Sequence, residues 1–466
     1  MNPKLLCQFE FRTILITYSE KKGSEDFAKK ELEVHVLKNC FEFLSRMKLR
    51  TRLPSEKEEN MPQIQKILIA GGGYAGIIAA NRLARKKIPL EITLITAKED
   101  FQERIRNHQI LAGTLEKTYS VRSLLHRKVN LVVAEIKKIE IRNKQILLKD
   151  GIIHPYDYLI YSLGIRGSNP SKLNDQYVQL TERDDCARMF EILKKKETAN
   201  VTILGAGLGG IEAASELATQ LQNIKITLVD AERMGKGFSA EAIVKLREFF
   251  LKNGVRILEN SKILKYEKDR LVTADGRKIP HDVCILANGF SASPIGEVSG
   301  FRTNPIGQVY VNSFLEVEDH PEIFGAGDAV QIVSSGYRHL KMACATAIPM
   351  GIYAAERLSY RLGLKSKKGK DPFSLGYLGR NVSLGRKDGL IQESEPDDTP
   401  TSKIWTSRSA VWIKELICKF TVLSFRLEKK FDFYFWKPFP DRKEEFNAKV
   451  LATHSEKSSW ISSDNS

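Results

Sequence analysis

Two glycine-rich turns of the same spacing constrain this chain more than any other feature. KILIAGGGYAGIIAANRLA sets Gly71-Gly72-Gly73-Tyr74-Ala75-Gly76 between a short apolar run and a helical one. ANVTILGAGLGGIEAASELATQL repeats the arrangement with Gly205-Ala206-Gly207-Leu208-Gly209-Gly210. In such a strand–turn–helix unit the first glycine permits a tight turn, the second lets backbone approach a pyrophosphate, and the third lets helix pack on strand. The helix N-terminus then presents free N–H groups and a favourable dipole to the anion. The flanking strand and helix give the glycine spacing its meaning. Two copies predict an α/β chain with two Rossmann-like dinucleotide-binding domains. The candidate contacts are Gly71, Gly72, Gly73, Ala75 and Gly76 for one dinucleotide, and Gly205, Gly207 and Gly210 for the other.

The strand after each turn ends at a candidate ribose contact. EITLIT ends at Thr96, where an acid is usual; its hydroxyl can bond a ribose hydroxyl. KITLVD ends at Asp230, whose carboxylate would hold both ribose hydroxyls of NAD and repel the 2′-phosphate of NADP. Asp230 therefore predicts NADH over NADPH, with Arg233 close enough to oppose that preference.

EIFGAGD, ending at Gly327-Asp328, together with the first turn and YDYLIYSLG, resembles the pyridine nucleotide–FAD oxidoreductases with two dinucleotide-binding domains. The resemblance covers 61–390 and implies an NAD domain inserted in a discontinuous FAD domain. Expected boundaries are an N-terminal extension at 1–60, the FAD domain at 61–172 and 299–375, and the NAD(P)H domain at 173–298. A C-terminal helical and aromatic segment would fill 376–440 and a disordered tail 441–466. The resemblance also implies that Asp328 binds the ribityl chain of FAD. Where the family usually has A-T-G, this chain has Ser162-Leu163-Gly164 and keeps only the glycine. Glu212 matches a family glutamate near the nicotinamide–flavin contact; it equally suits a first-turn carboxylate favoured by the helix dipole. Hydride would pass from NADH to flavin N5, then electrons to an acceptor.

The cysteines narrow the branch. Cys7, Cys40, Cys186, Cys284, Cys344 and Cys418 form no C-x-x-C, no metal motif and no disulfide framework, which suits a reducing, cytoplasmic setting. None lies between Cys40 and Cys186, which excludes the disulfide reductases and flavin peroxidases. Type II NADH:quinone oxidoreductase-like NADH dehydrogenases are the closest remaining branch. Their quinone pocket carries glutamines on the helix after the G-D motif, and Ala343–Gly351 has none. The acceptor therefore stays open between a quinone and a small electron-transfer protein, with a non-catalytic FAD/NADH redox sensor as the reading from another class.

Net charge is +16, and the excess sits in 61–200 and 331–440. No nucleic-acid module accompanies it, so an anionic membrane on the inner face is the better partner. FQERIRNHQ supplies a polar cluster of Glu103, Arg104, Arg106, His108 and Gln109 expected near the flavin, with His108 its candidate of interest. In 404–440, Trp412, Ile413, Leu416, Ile417, Phe420, Leu423 and Leu427 fall on one helical face, with Lys414, Lys419 and Arg426 elsewhere. That face fits a membrane interface, the body of the protein, or a second copy in a homodimer.

Overall fold

The computed structural model describes residues 64–115, 117–167 and 175–439. The N-terminal extension and the tail read from the sequence lie outside them. Ile67 to Ala70 of strand Gln65–Ala70 are all buried. A central parallel strand loses water on both faces, so its sequence is an unbroken apolar run rather than an alternation. It pairs in parallel with Leu90–Thr96 on one side and Tyr158–Tyr161 on the other. The helix after its glycine turn, Tyr74–Ala84, is buried from Ala75 onward. It is apolar almost all round because it lies between this sheet and helix Cys344–Arg361. That crossing is close: a Cβ at Gly351 would stand 2.3 Å from the Ala75 carbonyl oxygen.

The first sheet has eight strands, in the order Val330–Ile332, Val309–Val311, Glu316–Val317, His320–Gly325, Tyr158–Tyr161, Gln65–Ala70, Leu90–Thr96, Val129–Val133. The chain leaves this sheet after Tyr161, builds a second one and returns. The second sheet is parallel throughout, ordered Arg256–Leu258, Ile224–Val229, Ala199–Leu204, Val283–Leu286, Tyr177–Gln179. The two glycine turns leave their sheets alike. Gly71 N–H donates to Ile95 O (2.8 Å), and Gly205 N–H donates to Val229 O (2.7 Å). The architecture is the α/β fold with Rossmann-like sheets that the turns imply.

The C-terminal segment is not only helical and aromatic. Strands Gly379–Leu384, Asp388–Ser394 and Pro400–Thr406 form an antiparallel sheet, so most of the stretch 391–403, whose polarity suggests a loop, is strand. The sheet buries the apolar Val382, Leu384 and Leu390 together with the polar Ser383, Gln392 and Ser394. Gln392, fully buried, accepts from Ser239 N–H (3.0 Å) and donates to Thr401 O (2.6 Å). Likewise 363–373, a basic linker by composition, holds the short helix Lys367–Lys370 and the buried Phe373.

Helix Arg408–Glu428 then crosses the molecule. Its inward face carries Lys414, Cys418, Thr421, Phe425 and Glu428. Arg82 clasps Glu428 at 2.5 Å, and Asn81 Nδ2 donates to Phe425 O at 3.1 Å. None of the seven residues on the apolar face read from the sequence is buried. Leu416 and Leu423 are 38% and 41% exposed. Leu416 and Leu423 look out and Lys414 looks in, while the other five residues are half-buried and Phe420 packs against Phe433 and Tyr434.

Candidate active site

At the first turn, Gly71 has φ +112°, and a Cβ there would lie 2.3 Å from Ser162 O. A Cβ at Gly76 would lie 1.9 Å from Gly71 O, whereas nothing stands within 4 Å of one at Gly73. Two positions are closed by backbone and the middle one is open. The second turn repeats this: Gly205 has φ +109°, a Cβ at Gly210 would meet Gly205 O at 1.8 Å, and Gly207 is open. The open positions sit at the N-termini of Tyr74–Ala84 and Leu208–Gln220, as anion cradles require.

Around the first turn the fold gathers Thr96, Gly164 and Gly327-Asp328. Thr96 covers Gly72, whose Cβ would lie 2.7 Å from Thr96 Oγ1, and its hydroxyl donates to Lys98 O at 3.3 Å. Gly164 (φ +68°) lies beside Arg104, whose Nη1 donates to Ile165 O. Gly327 (φ +76°) abuts Ala75. Asp328 Oδ1 is buried without a hydrogen-bond partner. Burial pushes its carboxyl up to about 6, against the pull of Arg104. A buried carboxylate oxygen left unsatisfied costs roughly 1–3 kcal/mol, and the hydroxyls of a ribityl chain are the donors it lacks. The residues fit FAD.

The second turn opens on a cleft of about 390 Å³ lined by Gly207, Asp230, Glu232, Arg233, Lys236 and Lys262 among others. Asp230 is fixed by backbone: Oδ2 accepts from Ala206 N–H (2.6 Å) and Oδ1 from Glu232 N–H (2.8 Å). The open turn and the acid at the adenosine end fit a nicotinamide dinucleotide.

Glu212 and His108, separate candidates in the sequence, meet. Glu212 is buried on Leu208–Gln220, and its Oε1 accepts from Lys414 Nζ and from Ser383 N–H at 3.0 Å. His108 Nδ1 stands 3.7 Å from Glu212 Oε2, and His108 Nε2 lies 3.4 Å from Ser383 Oγ. Burial works against the Glu212 charge, but Lys414 and then His108 hold its carboxyl below the usual range. Burial takes His108 down to about 4, so it is neutral at pH 7. Glu212 lies beyond the first turn of its helix and is buried, as is His108.

Arg106 clamps Glu415 with two hydrogen bonds of 2.7 and 2.8 Å, and Arg386 forms an ion pair with Glu216 at 2.8 Å. Lys414, Ser383, Arg386 and Glu415 were invisible as site residues, because their partners lie far off in sequence. Lys414 sits on a mixed inward face with Cys418, Thr421, Phe425 and Glu428, so nothing local marked it. Burial pushes the thiols of Cys344 and Cys418 up to about 12 and about 11, so neither is a thiolate at neutral pH. The described cysteines are all free.

A family profile described as pyridine nucleotide-disulphide oxidoreductase matches residues 65–351, which include both turns, Glu212 and Asp328. The chain belongs to that family. It is an oxidoreductase. It is 24% identical over 343 residues to ferroptosis suppressor protein 1 of Mus musculus, covering 70% of this chain and 88% of that protein. It is 28% identical over 363 residues to type II NADH:quinone oxidoreductase of Staphylococcus epidermidis, covering 70% and 89%. The solved structure of NDH2 from Plasmodium falciparum in complex with NADH shares the fold, with TM-score 0.65, 15% identity, and 78% and 97% of the two chains covered. The expected kinship with type II NADH dehydrogenases holds. The likeness to ferroptosis suppressor protein 1 was not anticipated from the residues. The family match ends before Ser383 and Lys414, so the C-terminal half of the buried cluster lies outside it.

Proposed function

We propose that this chain is an FAD-dependent NADH dehydrogenase that delivers electrons to a quinone-like acceptor at a membrane surface. The observation that carries the flavin assignment is the unpartnered, buried Asp328 oxygen beside an open glycine cradle. When bound, FAD supplies the chemistry, taking hydride at N5 and giving electrons onward. The chain's part is binding, orientation and exclusion of water. Gly73 and the Tyr74–Ala84 N-terminus hold the pyrophosphate, Thr96 the ribose and Asp328 the ribityl hydroxyls. Gly207 and Asp230 hold NADH. Glu212, anchored by Lys414 and Ser383, keeps a fixed buried charge where the two-turn architecture brings nicotinamide to flavin.

The outward face of Arg408–Glu428 supports the membrane. Leu416 and Leu423 are exposed beside Lys419, Arg426 and Lys430. Apolar side chains with adjacent cations suit the boundary between acyl chains and anionic headgroups. Among the described residues no helix is long and apolar enough to cross a membrane. NADH oxidation with a long-chain quinone in anionic vesicles, compared with a ferredoxin in solution, tests this. The proposal expects quinone turnover that rises with anionic lipid. Turnover with the ferredoxin alone would overturn the acceptor and favour docking of a small acidic protein on the same basic face.

A further inference from the structure

We propose that six cations gathered at one end of helix Arg408–Glu428 form a site for lipid headgroups bearing phosphate monoesters, such as a phosphorylated inositol. The proposal rests on the membrane reading of that helix and adds the lipid chemistry. Arg426, Lys429 and Lys430 stand at the helix end. Arg122, Arg127 and Lys128 come from the short helix Val121–Leu124 and the turn after it. Asn81 bolts the two segments together. Its Nδ2 donates to Leu124 O (2.9 Å) and Phe425 O (3.1 Å), and its Oδ1 accepts from His126 N–H (2.7 Å). Lys429 Nζ adds a bond across the joint, donating to Ser123 O at 2.6 Å. The cluster is therefore set on a fixed frame.

Nothing in the cluster neutralises it. Arg122 donates to the carbonyl oxygens of Val129 and His126, both at 2.7 Å, and Arg426 lies over the Tyr119 ring at 5.4 Å. Such partners hold a cation in place without cancelling its charge. The acids nearest in sequence are taken, Glu428 by Arg82 and Asp432 by Arg85. Among the described residues no carboxylate lies within ion-pair distance of any of the six. Burial, then Lys128, Arg127, Lys429 and Arg85, hold the His126 imidazole below its usual range. Burial, then Arg122, Arg426 and Lys430, do the same to the Lys429 ammonium. Every charged neighbour acting on these two groups is a cation. Positive charge so concentrated favours a phosphate monoester, which carries roughly −1.5 to −2 at pH 7, over a headgroup with a single charge. The exposed Leu423 lies one turn before Arg426, so a bilayer meets apolar surface and cations together. A soluble acidic protein would use only the cations.

Sedimentation of the full-length, flavin-loaded protein with two kinds of phosphatidylcholine vesicle tests the site. One carries phosphatidylinositol bisphosphate, the other phosphatidylserine at equal total charge. The expected result is binding about fivefold tighter to the bisphosphate vesicles, the worth of one further cation engaged near an anionic surface. The triple variant Arg127→Ala/Lys128→Ala/Lys430→Ala should lose that preference while keeping flavin and Tm, since all three side chains are exposed. Equal binding to the two vesicles, or a preference that survives the triple substitution, overturns the headgroup site while leaving the membrane reading standing. If the unmutated protein ignores both vesicles, the membrane reading fails and the site fails with it. Retention on an immobilised ferredoxin through the same three cations, with no response to vesicles, would assign the cluster to an acidic protein instead.

Discussion

Lys414 Nζ is bonded to Glu212 Oε1 in the protein interior, joining the last described helix to the helix that follows the second glycine turn. Both side chains are almost fully removed from water, at 10% and 7% exposure. Charges so placed are tolerated only as a pair, because each alone would meet a desolvation cost of several kcal/mol. The pair ties the C-terminal helix to the proposed active site.

Lys414→Met should therefore cost about 3–5 kcal/mol of stability by stranding the Glu212 carboxylate. The double variant Glu212→Gln/Lys414→Met should recover a good part of that loss. Chemical denaturation of the four proteins in a double-mutant cycle measures it. Additive losses would mean that the two groups do not depend on each other.

His108 makes stability pH-dependent in a defined window. Its folded pKa of about 4 lies below the ordinary 6.5. Between those values the unfolded chain binds the extra proton, so stability is full above pH 6.5 and falls as pH drops toward 4. His108→Gln should flatten the decline of Tm over that interval. Glu212, held below its usual range, adds its own loss only at lower pH. An unchanged slope in the variant would place the titration elsewhere.

Asp328→Ala should weaken FAD binding by roughly 1.5–3 kcal/mol, the worth of hydrogen bonds to a charged group. Flavin retained under dilution, followed by absorbance after gel filtration, reads this out. Occupancy equal to that of the unmutated protein would remove Asp328 from the ribityl site.

The outward helix face gives a membrane prediction that leaves the core alone. Because Leu416 and Leu423 are exposed, Leu416→Glu/Leu423→Glu should keep flavin and Tm while abolishing sedimentation with anionic vesicles. High salt should release the unmutated protein only in part, since screening weakens Lys419 and Arg426 but not the apolar contact. Indifference of the unmutated protein to vesicles would reject a membrane surface.

The sequence was most legible where backbone chemistry dictates residue type. Gly71, Gly76, Gly205 and Gly210 were readable because a Cβ at each would collide with backbone, and Asp230 because it directly follows an apolar strand. The parallel strands announced themselves as unbroken apolar runs. The C-terminal sheet did not, since Gln392 and Ser394 bury polar groups and mask the alternation. The apolar face of Arg408–Glu428 was found, but its direction was not. Periodicity shows that a helix has two faces, and only the partners of Lys414 and Glu428 say which one looks inward. His108 and Glu212 were each noticed alone. Their meeting depends on Ser383 and Lys414, distant residues whose contacts no local pattern encodes.

Anaerobic mixing of the yellow, flavin-loaded protein with NADH, followed at the flavin absorbance band in a stopped-flow instrument, tests the central claim most directly. The account predicts rapid bleaching of the bound flavin, faster at low concentration with NADH than with NADPH, and a narrower gap between the two in Asp230→Ser. Flavin that stays bound and fully oxidised in the presence of saturating NADH would contradict it.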